Sequence, residues 1–249
     1  MEPEIVEFVG GTGARLQAFV RRPDGPVVGS VLMAHCFTCS KDLHTTTRLS
    51  KALADAGWVT FAFDFTGLGG SGGDFAETTV STNVADLRRA ATTMLERGIG
   101  PCLLLGHSLG GSAAVLAAAS LKTVDAVIAV ASPSDVGHIR HLLPDDASDA
   151  PARFDISIGG RPFALDPTFV HDLDHHSVVE AAQALDRPFL VVQAGDDRIV
   201  GSAETEALAS AGSATLAVVD GADHLFSRPE HARHLAEIVV EWASRTASG

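Results

Sequence analysis

Six short apolar runs, separated by stretches of helical length, constrain this chain more than any other feature of its sequence. They lie at residues 27–34, 59–63, 101–105, 124–131, 188–194 and 214–219, and they are rich in Val, Leu, Ile and Phe with little polar alternation. Runs of this length and evenness are what a parallel strand needs when both of its faces are covered. Between them, residues 45–56, 81–97, 112–121, 202–211 and 230–245 have helical length and composition. Strand alternating with helix builds a doubly wound sheet. Residues 4–9 and 16–22 alternate around Gly10-Gly11-Thr12-Gly13, as an antiparallel hairpin at the leading edge would. The expectation is an α/β protein with a doubly wound, mostly parallel, eight-stranded sheet.

Residues 137–185 break this rhythm with Pro, Asp and His. Two short strands around Gly159-Gly160, then one or two helices, suggest a small cap inserted over the carboxyl edge of the sheet. With no internal repeat and no linker, residues 1–249 read as one domain. The net charge of −13 argues against a nucleic acid or an anionic membrane as partner, because both require clustered Lys and Arg. The N-terminus lacks the basic flank and apolar stretch of an export signal, and no apolar run is long enough to span a bilayer. Three cysteines make no disulfide framework and fit a reducing compartment, so a cytoplasmic location is expected.

The residues suited to chemistry fall at strand ends. Gly106-His107-Ser108-Leu109-Gly110 follows the run at 101–105 and opens an Ala-rich helical stretch. Small residues at 106 and 110 let strand and helix approach through a tight turn, from which Ser108 projects as a nucleophile. At the helix start the Leu109 N–H is free to face a developing oxyanion. A serine hydroxyl is a weak nucleophile near neutrality, so it needs a base, and the base needs a group to fix its tautomer. His224 follows the last strand, at the edge where sites of open α/β sheets lie, and is the candidate base. Asp196 and Asp197 follow the run at 188–194 as two adjacent candidate acids, whereas Asp223 is expected to serve its own turn.

Three further motifs have plainer alternatives. His171, His175 and His176 with Asp172 and Asp174 offer metal-ligand types, but a solvated polar segment accounts for them and no metal is expected. Gly67-Leu68-Gly69-Gly70-Ser71-Gly72 satisfies G-x-G-x-x-G, yet no helix opens at once and Asp86, the acid downstream, falls in a helical stretch. No nucleotide cofactor is expected. Cys36-Phe37-Thr38-Cys39 forms C-x-x-C between strand and helix, a setting for a redox pair. Closing it to a disulfide is expected to distort the loop and make the protein redox-sensitive; packing of two thiols is the plainer alternative.

The strand–turn–helix around Ser108 and the order serine, acid, histidine resemble the α/β-hydrolase superfamily. Asp-x-x-Val after the strand at 188–194 is similar to the triad acid of many of its members and selects Asp197 over Asp196. His35-Cys36-Phe37 stands where relatives carry His-Gly and then the second oxyanion donor. The resemblance therefore implies Phe37 beside Leu109 in the oxyanion hole, with His35 pinning the loop. Asp64-Phe65-Thr66-Gly67-Leu68-Gly69-Gly70-Ser71 resembles the Asp-x-x-Gly-x-Gly-x-Ser turn common at this point in the superfamily. Together with Ile158-Gly159-Gly160-Arg161-Pro162-Phe163 and Gly221-Ala222-Asp223-His224-Leu225, these blocks look like the hydrolase half of bacterial alpha/beta hydrolase–OsmC fusion proteins. In that family an OsmC-like domain, of a class associated with thiol-based peroxide reduction, follows the hydrolase. The chain given reads as a stand-alone relative or an excised domain. The expected activity is that of an intracellular bacterial serine hydrolase: a carboxylesterase acting on small to medium acyl esters through an acyl-enzyme. A thioesterase or other acyl hydrolase on the same triad is the alternative, and a redox-responsive module with a vestigial triad is the rival of another class.

Overall fold

The structure, a computed structural model, describes residues 2–100 and 102–246. Strands β1 (Glu4–Val9) and β2 (Arg15–Arg21) form the leading hairpin. The central strands are β3 (Gly29–Ala34), β4 (Trp58–Phe63), β5 (Leu103–His107) and β6 (Ala126–Val130). A cap hairpin of β7 (Phe154–Ile158) and β8 (Arg161–Leu165) comes next, and β9 (Phe189–Ala194) and β10 (Thr215–Val219) complete the main sheet. That sheet has eight strands in the order β1-β2-β4-β3-β5-β6-β9-β10, and β2 runs antiparallel to both of its neighbours while the other pairs are parallel.

The burial pattern follows from this order. Every residue of β4, β5, β6 and β9 is buried, because helices cover both faces of the sheet there. Toward the edge β2 alternates, with Leu16, Ala18 and Val20 inside. Helices α1 (His44–Asp55) and α7 (Pro229–Thr246) lie on one face, where Leu49, Leu53, Leu235, Val239 and Trp242 pack on Val31, Leu105 and Ile128. Helices α2 (Val80–Glu96), α3 (Leu109–Ala118) and α6 (Ser202–Ala211) cover the other, where Leu87, Met94, Val115 and Leu208 meet Leu32, Phe61 and Leu104. Each fully buried Leu side chain stabilises the fold by about 1.5–3 kcal/mol relative to exposure. A capping box of Thr79 and Thr82 satisfies the first turn of α2.

Two boundaries differ from the sequence reading. Strand β5 carries on through Gly106 and His107, pairing Gly106 with Ala34 and Ala129, so the glycine that reads as a strand stop is a ladder member. The expected strand start at Pro101 lies outside the described residues. Helix α3 opens at Leu109 rather than near Ser112. Ser108, at φ 55°, turns the chain within one residue, and burial overrides the poor helix propensity of Gly110 and Gly111.

The cap runs from 3-10 turns at Val136–Leu142 and Ala147–Asp149 through the β7–β8 hairpin to α4 (Pro167–Leu173) and α5 (Val178–Gln183). Arg153 ties it to Asp74 (2.6 Å) and Glu77 (2.9 Å) of the segment leading into α2. No helix among the described residues is long and apolar enough to cross a membrane.

Candidate active site

The turn between β5 and α3 is packed so closely that side chains are excluded. A Cβ on Gly106 would lie 2.2 Å from the Gly110 carbonyl oxygen, one on Gly110 would lie 2.2 Å from the His35 carbonyl oxygen, and one on Gly111 would overlap the Ser132 hydroxyl at 1.7 Å. Ser108 itself sits in the left-handed region, costing roughly 1–3 kcal/mol of backbone strain that the surrounding packing holds in place. Its amide donates to the Val130 carbonyl (2.8 Å), and its own carbonyl accepts from Gly111 (2.8 Å). The hydroxyl is thereby lifted to the carboxyl edge of the sheet.

Three side chains from three loops meet there. The hydroxyl of Ser108 lies 3.0 Å from Nε2 of His224, and Nδ1 of His224 lies 2.8 Å from Oδ2 of Asp197. The other carboxylate oxygen of Asp197 accepts from the amides of Ile199 (2.8 Å) and Val200 (3.0 Å). Burial pushes the Asp197 carboxyl up, but the hydrogen bond and charge of His224 and these two amides outweigh it and hold the group below the usual carboxylate range. An ionised Asp197 fixes the His224 tautomer: Nδ1 carries the proton and Nε2 is left to accept from Ser108. Asp196 is exposed, and among the described residues only its amide is engaged, donating to the Ala222 carbonyl (2.8 Å). Asp223 accepts from Leu225 and Ser227 within its own turn.

Phe37, on the loop after β3, and Leu109, the first residue of α3, line the same cavity as Ser108. Among the described residues neither amide donates a hydrogen bond within the fold. His35 holds the Phe37 loop from behind: its Nδ1–H donates to the Cys36 carbonyl (2.8 Å) and its Nε2 accepts from the Phe65 amide (3.2 Å). Burial pushes the His35 imidazole below its usual value, more than the Cys36 carbonyl and Asp64 raise it, and it stays neutral.

Cys36 and Cys39 are joined by a disulfide, with Cα atoms 5.3 Å apart, and Cys102 is free. The odd cysteine count therefore conceals a local clip, and the plain packing of two thiols is replaced by a covalent ring. The Cys39 amide donates to the Cys36 carbonyl (3.1 Å), and inside that turn Thr38 is left-handed at φ 61°. Cys36, where a glycine is usual, needs no left-handed backbone; the unusual conformation falls on Thr38.

Two supports were not legible in the sequence: the pairing of Lys41 with Asp64 of the Gly-rich turn, and the role of His107. Asp64, fully buried, accepts from the Lys41 ammonium (2.7 Å), the Lys41 amide (2.6 Å) and the Gly70 amide (2.8 Å). This buried ion pair staples the Cys36–Asp42 loop to the Gly-rich turn, and Lys41 also lies over the Phe19 ring at 4.2 Å. The G-x-G-x-x-G motif serves that staple: a Cβ on Gly69 would lie 2.2 Å from the Asp64 carboxylate and one on Gly67 2.2 Å from the Phe75 amide. Asp86 accepts from Gly11 and Thr66, joining two turns. The second support is His107, whose Nε2–H donates to the His224 carbonyl (2.8 Å). Thr45 donates to the next carbonyl, that of Leu225. Burial, and then the neighbouring His224, push the His107 imidazole down to about 3, so it holds His224 in place without adding a charge.

Above Ser108 lies a cavity of about 670 Å³ with apolar walls from Leu109, Val136, Ile139, Leu142, Ile158 and Leu225. The cap hairpin reaches the Phe37 loop through rings: Phe37 packs on Phe75 (5.4 Å) and Phe169 (5.5 Å), and Phe75 on Phe163 (5.3 Å). Of the polar cluster at 171–176, Asp172 accepts from Ser81 at the start of α2 and lies 3.1 Å from His176, which makes it a cap anchor. Among the described residues no three His, Cys, Asp or Glu side chains gather as a metal site.

Comparison with known proteins agrees with this architecture. The sequence model described as "Alpha/beta hydrolase family" matches residues 31–237. The chain is similar to the esterase domain of a Rhodothermus marinus protein, with 33% identity over 98% of this chain and 99% of that one and a TM-score of 0.81. It is similar in fold to Est1E from Butyrivibrio proteoclasticus, solved with ferulic acid bound (19% identity, 98% and 100% covered, TM-score 0.82). An alpha-beta serine hydrolase homologue from Coxiella burnetii shares the fold as well (21% identity, 97% of each chain covered, TM-score 0.70). No curated protein matches the chain by sequence. Since the family match spans most of the chain and the sheet order accords with it, this chain belongs to the alpha/beta hydrolase family.

Proposed function

We propose that the chain is a carboxylesterase that hydrolyses small to medium acyl esters through an acyl-enzyme. The observation that carries this reading is the unbroken relay from Ser108 through His224 to Asp197, at 3.0 and 2.8 Å. His224 Nε2 takes the Ser108 proton as the hydroxyl oxygen attacks the ester carbonyl, and Asp197 stabilises the imidazolium through Nδ1. The oxyanion develops against the free amides of Phe37 and Leu109. His224 then protonates the departing alkoxide, and the acyl group remains on Ser108. Water attacks that acyl-enzyme with His224 again as base, releasing the acid.

The apolar cavity supports an acyl group of modest size, and the Rhodothermus marinus relative, described as an esterase domain, supports ester over amide. A vestigial triad would have no need of a relay this complete, which favours the enzyme over a purely redox-responsive module. The test is stoichiometric labelling by a fluorophosphonate probe together with hydrolysis of a series of aryl esters of increasing acyl length. Labelling and turnover should both vanish in Ser108→Ala. A wild-type protein that neither labels nor cleaves any ester of the series would end the proposal.

A further inference from the structure

We propose that the Cys36–Cys39 disulfide is a redox-modification site for small thiols, and that opening it disables the oxyanion hole; the inference rests on the serine hydrolase reading above. Phe37 and Thr38 are the two residues enclosed by the ring. Thr38 is the third residue of the Cys36–Cys39 turn and is left-handed, a position that favours glycine and is a rare outlier for a β-branched residue. Such a conformation persists only where the surroundings over-determine it. The Cys36–Cys39 bond supplies that restraint from both sides. With the bond open, Thr38 relaxes to negative φ and the Cys36–Cys39 turn loses its closure, so the Cys36–Phe37 peptide plane, which carries the Phe37 N–H, is free to rotate. The Phe37 amide then leaves the oxyanion position proposed for it above.

Access is asymmetric. Cys36 is buried at 4% exposure, whereas Cys39 is half-buried, and both line the cavity that holds Ser108. A small thiol entering along the substrate's path therefore attacks Sγ of Cys39. That step forms a mixed disulfide with Cys39 and expels Cys36 as a thiolate, which takes up the attacker's proton. A second thiol attacks the small-molecule sulfur of the mixed disulfide and releases Cys39 as a thiol. In sum the protein disulfide gains two electrons and two protons, while two thiol molecules become one disulfide.

The test measures kcat and KM on one aryl ester for the full chain in two states, oxidised and treated with millimolar 2-mercaptoethanol, each verified by thiol titration. Reduction should add two titratable thiols and lower kcat on the order of 10²-fold, the loss that follows removal of one oxyanion donor, with KM little changed. Cys36→Ser/Cys39→Ser should sit at the reduced rate under both conditions, and Cys102→Ser should keep the wild-type ratio of oxidised to reduced kcat. Thr38→Gly is the discriminating variant: glycine accepts positive φ without the ring, so that ratio should fall toward one. A disulfide that 2-mercaptoethanol leaves intact, or wild-type kcat values within twofold of each other in the two states, would overturn the proposal while leaving the esterase standing. Absence of turnover in both states would overturn the esterase and this inference with it.

Discussion

Replacing Lys41 by Met isolates the buried ion pair that fixes the loop carrying Phe37. The ammonium lies 2.7 Å from Asp64, and the two side chains are 2% and 0% exposed. At an effective dielectric constant of about 20, charges at that separation attract by about 6 kcal/mol. Removing Lys41 also removes the cost of burying the ammonium, so the net destabilisation is about 3–5 kcal/mol, the usual result of leaving one partner of a buried pair uncompensated. Methionine keeps most of the stem that covers Phe19, and the Lys41 and Gly70 amides still donate to Asp64, so the loss reports the charge. Asp64→Asn should cost less, because the ammonium retains the exposed Asp42 at 3.2 Å. Urea unfolding measures each variant: the midpoint should fall with an unchanged slope, and salt should hardly alter the difference because the pair is shielded from solvent. Combining Lys41→Met with Asp64→Asn should recover at least 2 kcal/mol of the single-variant loss, a coupling typical of contacting residues at roughly 0.5–3 kcal/mol. A Lys41→Met loss below about 1 kcal/mol, or a double variant no more stable than Lys41→Met, would refute the account of the staple.

The two adjacent acids should behave in opposite ways: Asp197→Asn should lower kcat by about 10⁴-fold through loss of the His224 tautomer, and Asp196→Asn by less than about twofold. Equal losses in steady-state assays would remove Asp197 from the relay. Two buried neutral histidines should limit acid stability. His107 is pushed down to about 3 in the fold but titrates near 6.5 when unfolded, so between those values the unfolded chain binds the extra proton. Its contribution is complete above about pH 6.5 and is lost on acidification at about 1.4 kcal/mol per pH unit. The depressed His35 acts in the same direction. His107→Gln, which keeps a donor for the His224 carbonyl, should flatten the dependence of the urea midpoint on pH; an unaltered slope would count against it. Gly106→Ala should destabilise by more than about 3 kcal/mol, because its Cβ meets backbone of α3 that cannot yield. A soluble variant with wild-type melting temperature would show that the turn tolerates a side chain.

What the sequence disclosed depended on whether the signal was local. The leading strand at 4–9, the cap strands around Gly159-Gly160 and the helix at 202–211 appear at the residues expected, because alternation, a Gly-Gly turn and flanking glycines specify them nearby. Ser108, Asp197 and His224 could be nominated together because each follows a strand, and parallel strands end on one edge. The pairing of Lys41 with Asp64 could not. Asp64 is visible as the head of a Gly-rich turn, but Lys41 looks like an ordinary solvated charge, and their burial together depends on two loops that meet only in the folded sheet. His107 is similar: its partner carbonyl lies 117 residues away. The left-handed Thr38 leaves no composition signal, since the residue type argues against the conformation that the disulfide and turn hold.

Phe75 touches the loop carrying Phe37 on one side and the cap hairpin on the other, so the cap is not an independent module. A graft of residues 137–185 from a relative without an aromatic at position 163 would leave Phe75 with an open face and Phe37 with a looser neighbour. The cap and the loop carrying Phe37 are therefore inherited together in this chain. Diversifying the cap in the laboratory calls for residue 75 to travel with it, and libraries that fix Phe75 should sample mainly cap sequences that keep its ring covered.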